Sequence, residues 1–287
     1  MYQGELEKTT QITSELPYFD ITVYPIQYGK SKGQYFMDKA NNSIYKGIGS
    51  IKYLNTQVGN ELYTLSQQTN HKSFINLLYD IEDTSVNSRQ LEILIRLDYF
   101  SQFGNDKKLL VLYKYFSNLN SRKQLNKESN RDIISLIEKV GVTETFIADN
   151  SSQTKKLYKD INFKEILLKI ETNIPNLSFG IKERLDAQLD YLTYINKQYD
   201  VDNRLWYVID IADYKNPYVK LHNIRTGDEK SLKLFKYDID KNVRRPVPKD
   251  IIMVDKAVWQ RKNKKVNGEW VKSKDKQLVL KKYNIIG

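Results

Sequence analysis

The chain of 287 residues contains no cysteine, and that absence removes disulfides, thiolate metal sites and cysteine nucleophiles together. Histidine is almost as scarce. His71 and His222 lie far apart in the sequence, and one imidazole cannot hold zinc alone, so each reads as a surface or packing residue. No apolar run is long enough to cross a bilayer, and no membrane contact is expected. Residues 1–13 are polar and carry Glu5 and Glu7, unlike a secretory signal, so a cytoplasmic location is the expectation. A Walker-type glycine loop is missing, as is a Ser-His-Asp order with a usable histidine.

What is present is a globular balance, 40% hydrophobic and 28% charged, with room for two or three domains and a sizeable core. The net charge of +11 is unevenly placed. Residues 1–203 are balanced, and residues 204–287 hold the whole excess. A basic domain behind a neutral one points to a polyanionic partner, with a merely solvated lysine-rich face as the competing reading.

The stretch Tyr45 to Leu65 organises the neutral part. Gly47 and Gly49 flank one apolar residue, an apolar-periodic run reaches Asn55 and Thr56, and a second follows at Val58, Leu62 and Leu65. The spacing predicts two short helices joined by a tight turn, with Asn55 or Thr56 capping the second. Such a helix-hairpin-helix outline can offer backbone N–H groups to one phosphate without reading bases. Lys46 and Lys52 stand beside it to add charge. An ordinary helical corner is the plain alternative.

Before this stretch, Phe19, Ile21 and Val23 alternate as a strand does, Gln34–Met37 reads as a second strand, and Ile44-Tyr45 as a third. After it, Ser73–Ile81 is an amphipathic helix. Another begins at Asn87, whose spacing to Gln90 is that of a capping box, and ends near Phe103-Gly104. Residues 106–202 read as further helices, the last over Ile181–Ile195. From Leu205 the pattern changes to many short strands, with Asn267-Gly268 as a strong hairpin signal, and the spacing suggests a small barrel.

Three blocks in order resemble the helix-hairpin-helix region of the C-family replicative polymerases, the bacterial DNA polymerase III alpha subunits. Gly47, Gly49, Ile51 and Lys52 match the family's "GLGAIKGVG" stretch. Phe74, Leu77 and Asp80 fit its "F-x-S-L-x-D" helix. Asn87, Arg89, Leu91, Glu92, Leu94, Ile95, Phe100 and Gly104 match "N-K-R-x-L-E-x-L-I-x-A-G-A-F-D-x-L-G". The family's hairpin glycines fall where this chain has Tyr53-Leu54-Asn55, and its glycine in the linking helix is replaced by Thr193.

The resemblance implies an α+β protein. Residues 1–45 would be a small β lead-in like the end of the fingers, 46–203 a helical helix-hairpin-helix domain, and 204–287 a basic OB-like β-barrel. It implies duplex contact by Lys46, Gly47, Gly49, Lys52, Asn55 and Thr56. Barrels of this type bind single strands with a basic groove and aromatic platforms. Tyr214, Tyr218, His222, Trp259 and Trp270 are available to stack. Lys215, Lys220, Arg225, Lys230, Arg244, Arg245, Arg261, Lys262, Lys264 and Lys265 are available to neutralise phosphate. The family's catalytic "P-D-x-D-x-D" motif does not occur. Asp200/Asp202, Asp210/Asp213 and Asp238/Asp240 are the nearest groupings. No cofactor is therefore expected in this chain. Polymerisation would need a palm-bearing partner chain holding the divalent metal ions. A scaffold that keeps the fold but binds proteins is the other reading.

Overall fold

The computed structural model describes residues 15–139, 141, 156–159, 161–212, 216–235, 244–266 and 268–287. It is a mixed α+β fold that divides into two compact units, Met1–Phe179 and Gly180–Gly287.

The first unit opens with a three-stranded sheet of β1 (Thr22–Tyr24), β2 (Phe36–Asp38) and β3 (Ser43–Tyr45). The order is β1-β3-β2, with β3 parallel to β1 and antiparallel to β2. A 3-10 turn at Ile48–Ser50 follows, where the sequence suggested a short α-helix. Then come α1 (Thr56–Gln68), α2 (Phe74–Ile81), α3 (Ser88–Arg96) and α4 (Asp106–Leu119). Further on, β4 (Gln124–Asn126) pairs with β5 (Leu157–Lys159), with α5 (Arg131–Lys139) between them and α6 (Phe163–Asn173) after.

Side-chain caps start α1 and α3. The Asn55 side chain accepts from Val58 N–H at 2.9 Å, and Asn87 with Gln90 forms both bonds of a capping box at 3.0 and 3.1 Å. The N-terminus of α2 is closed by Glu171 of α6. Its carboxylate accepts from Ser73 Oγ (2.5 Å), Phe74 N–H (2.7 Å) and Ile75 N–H (3.3 Å). An internal anion there satisfies donors and complements the helix dipole. The apolar stripes of α2, α3, α4 and α6 then meet in one core that includes Phe74, Leu78, Leu94, Phe100, Leu112 and Leu167.

The helix α3 stops at Arg96, not near Gly104. Asp98 takes a left-handed conformation (φ 61°), its N–H reaches Ile95 O, and Tyr99 N–H reaches Leu94 O. That pair of bonds is a Schellman ending, and the buried Tyr99 ring completes it.

The second unit begins with α7 (Ile181–Leu192), followed by β6 (Leu205–Ile211), β7 (Tyr218–Asn223), β8 (Glu229–Lys233), β9 (Ile251–Val266) and β10 (Glu269–Ile285). The five strands close into a barrel in the order β10-β8-β7-β6-β9, all antiparallel except β10 beside β8. Val208, Val219, Leu221, Ile252 and Leu280 fill it. Tyr207 and Val208 are both buried because both faces of β6 are covered. Val208 points into the barrel, while Tyr207 packs with Leu185, Ile195 and Ile224 under α7. Tyr207 O–H donates to Asp186 at 2.6 Å and fixes the helix on the strand. Because α7 packs with the barrel, the second compact unit begins at Gly180, ahead of residue 204 where the strand pattern starts.

The last two strands are far longer than the short segments read from the sequence. Among the described residues, β9 pairs with β6 only over Ile251–Met253, and β10 meets β8 at Val279. From Trp259 to Val266 and back to Leu278 the two strands pair only with each other and form an arm. Gly268, at φ 90°, stands in its turn; Asn267 lies outside the described residues.

Candidate nucleic-acid interface

The hairpin is built inward and outward from one bend. Ile48, Ile51 and Leu54 are buried, while Lys52, Tyr53, Asn55 and Thr56 are exposed. The bend turns at Tyr53, which adopts a left-handed conformation (φ 68°), and Leu54 N–H returns to Ile51 O at 3.2 Å. Tyrosine reaches that region at a cost of about 1 kcal/mol or more. Neighbours hold it there. The Arg89 guanidinium lies 3.8 Å from the ring centroid, and Gln90 Nε2 donates to Tyr53 O at 3.4 Å. The exposed rim of the bend therefore carries two cations, Lys52 and Arg89. Arg89 had been counted only as a motif residue; its place one turn into the third block was the signal available for it.

Tyr53 is not alone. Asp98 and Thr193 are likewise non-glycine residues with positive φ. Their φ values are 61° and 69°. At all three positions a residue with a side chain holds left-handed backbone.

Gly47 and Gly49 have a different task from the one expected. Ile48 N–H donates to Lys32 O and Gly49 N–H to Gly33 O, both at 2.9 Å. A Cβ on Gly47 would lie 2.5 Å from Gln34 C, and one on Gly49 2.8 Å from Thr56 Cγ2. Gly33 is tighter still, since its Cβ would sit 2.2 Å from Thr56 O. These glycines let the 32–35 segment pass between the 3-10 turn and α1, and the amides of Ile48 and Gly49 serve that packing. Lys46 is likewise inside, at 8% exposure, and burial lowers its ammonium pKa to about 8. It is no surface phosphate contact.

Both histidines are packing residues. His71 Nε2 pairs with Asp80 at 2.8 Å and its Nδ1 with Tyr28 O–H at 3.2 Å, which ties the loop before β2 to α2. His222 is 2% exposed and cannot stack on a base.

The barrel cations divide into two groups. Lys220 pairs with Glu229 at 2.7 Å, Arg225 with Asp200 at 3.4 Å, and Arg244 grips Asp250 with both terminal nitrogens at 2.7 and 2.8 Å. Arg245 reaches Ala212 O, and Lys230 lies over the Trp206 ring. Tyr218 donates to Gln277 at 2.9 Å, under the Lys233 ammonium. Tyr214 and Lys215 lie outside the described residues. By contrast, Arg261, Lys262, Lys264 and Lys265 are exposed along the arm with Trp259 and Trp270, and among the described residues none of these four cations is in an ion pair. Sequence reasoning had passed over Lys272 and Lys276, which face them from β10.

Of the carboxylate groupings, Asp202 is held by Arg204, whose hydrogen bonds depress its pKa to about 2, and Asp200 faces Arg225. Asp213, Asp238 and Asp240 lie outside the described residues. Among the described residues, no three His, Asp or Glu side chains are placed to hold a metal ion, and no helix is long and apolar enough to cross a membrane.

These features define a bend between a 3-10 turn and a capped helix, joined in the chain to a basic five-stranded barrel. A family model described as a helix-hairpin-helix motif matches residues 20–110, which takes in the small sheet, the bend at Tyr53 and the helices α1 to α3. The match suggests nucleic-acid binding. No curated protein matches the chain.

Proposed function

We propose that the chain is a nucleic-acid-holding module equivalent to the rear of a C-family replicative polymerase: end of fingers, helix-hairpin-helix region and OB-type barrel. It grips the backbone of duplex DNA at the Tyr53 bend and single-stranded DNA at the barrel, while a palm-bearing partner chain supplies the catalytic carboxylates and their metal ions. The observation that carries this reading is the bend itself. It keeps its left-handed backbone without glycine, inside a region matched as helix-hairpin-helix, and exposes Lys52 and Arg89 together. The order of elements supports it too, since a small sheet, capped helices and a five-stranded barrel follow as that family's pattern implies.

A scaffold that binds protein partners is the second reading. Burial of Lys46 and the internal bonding of the Ile48 and Gly49 amides favour it, because both remove groups a phosphate could use.

Fluorescence anisotropy with a blunt duplex at about 50 and about 200 mM salt decides between them. Lys52→Glu with Arg89→Glu should weaken duplex binding and lower the salt slope by about one per charge removed. Unchanged duplex affinity in this variant overturns the hairpin reading, and absence of binding at the lower salt selects the scaffold.

A further inference from the structure

The register of the arm sorts its side chains onto two faces. Cross-strand partners share a face, and alternate residues along a strand return to it. Trp259 lies opposite Leu278, Arg261 opposite Lys276, Asn263 opposite Lys272, and Lys265 opposite Trp270. The irregularity between Lys272 and Lys276 sets four positions of β10 against two steps of β9, so the alternation survives it. One face therefore carries both exposed tryptophans, at 67% and 71% exposure, with Arg261, Lys265, Lys272 and Lys276 between them. None of these eight paired positions is acidic. Within the bulge, the Asp275 carboxylate accepts from the Ser273 hydroxyl at 3.1 Å.

Large aromatic rings left mostly in water beside four cations, with no acid among the paired positions, bury little against the described residues. A protein surface would need an unusual density of carboxylates to match them, whereas a single nucleic-acid strand offers unpaired base faces and regularly spaced phosphates. We propose that this face of the β9–β10 arm is a single-strand binding track, in which Trp259 and Trp270 each stack a base and the four cations between them follow the backbone. This rests on the nucleic-acid reading above and deepens it. The two rings are six residues apart in register, roughly 20 Å along the ribbon. That span corresponds to about six nucleotides at the ~3.4 Å spacing of a stacked strand. A blunt duplex has no free base faces and gains nothing from the rings.

The test titrates the full chain with oligo(dT) of about 20 nucleotides, longer than the site expected of such barrels. Tryptophan emission should be quenched on saturation, above the constant background of the part-buried Trp206. Trp259→Ala and Trp270→Ala should each weaken oligo(dT) binding about tenfold, and phenylalanine at either position should restore most of it. Both rings are exposed, so an unchanged melting temperature verifies the fold. Duplex binding should be untouched by these variants and lowered by Lys52→Glu. Unquenched emission at saturation, or full oligo(dT) affinity in the double alanine variant, overturns the track while leaving the hairpin reading standing. Failure to bind either nucleic acid removes both.

Discussion

The Tyr53 bend and the β9–β10 arm each put cations at an exposed turn, by opposite means. In the bend, backbone passes so close to backbone that Gly33, Gly47 and Gly49 leave no space for a side chain, and the exposed charge is limited to Lys52 and Arg89. In the arm a Cβ at Gly268 would meet nothing within 4 Å among the described residues, and side chains create the surface. A shape fixed by close packing suits the regular backbone of a duplex, which needs position more than charge. A loosely supported ribbon with many cations suits an irregular single strand, and its binding should be the more salt-sensitive of the two.

The sharpest way to break this contrast is to add one methyl group in each place. Gly33→Ala should cost the first unit about 3 kcal/mol or more, because its Cβ would lie 2.2 Å from Thr56 O. Gly268→Ala should cost only about 1 kcal/mol, the strain of a non-glycine residue at φ 90°. Urea unfolding of each variant measures both, and equal losses would dissolve the distinction.

A smaller effect tests whether the bend has an interior. Burial lowers the Lys46 pKa to about 8, below that of the unfolded chain. Between pH 8 and 10 the unfolded chain then holds a proton that the folded one lacks, so stability should rise with pH in that window, by on the order of 2 kcal/mol. Buried Tyr28 and Tyr99, whose pKa values are raised chiefly by burial, act the other way above pH 10. The difference between the native chain and Lys46→Met isolates the lysine, and parallel pH profiles would place Lys46 in water. Smallest of all, Thr193→Gly should stabilise the second unit by about 1 kcal/mol, since a β-branched residue at φ 69° is strained and glycine is not.

Much of the first unit was legible. The Asn55 and Asn87 caps, the apolar stripes of α2 and α3, and the spacing of the three blocks all express local chemistry, which sequence carries directly. What escaped were long-range facts. Nothing near Lys46 in the sequence announces that it is enclosed, because burial belongs to the folded chain. Gly47 and Gly49 looked like phosphate ligands since the segment that fills their space, Lys32 to Tyr35, is distant in pattern. The arm was read as broken short strands for a related reason. Outside the barrel it buries no apolar core among the described residues, so the apolar alternation that marks a strand is replaced by cations.

The carboxylate of Glu171 closes a helix that lies inside the helix-hairpin-helix match. The helix-hairpin-helix match ends at residue 110, yet the start of its helix Phe74–Ile81 is closed from 97 positions downstream. A fragment trimmed to the edges of the match would lose the acceptor for a hydroxyl and two main-chain amides. During synthesis, too, that helix must wait for the later segment to emerge before its end can be sealed. The recognisable motif is therefore shorter than the stretch of chain that seals its helices.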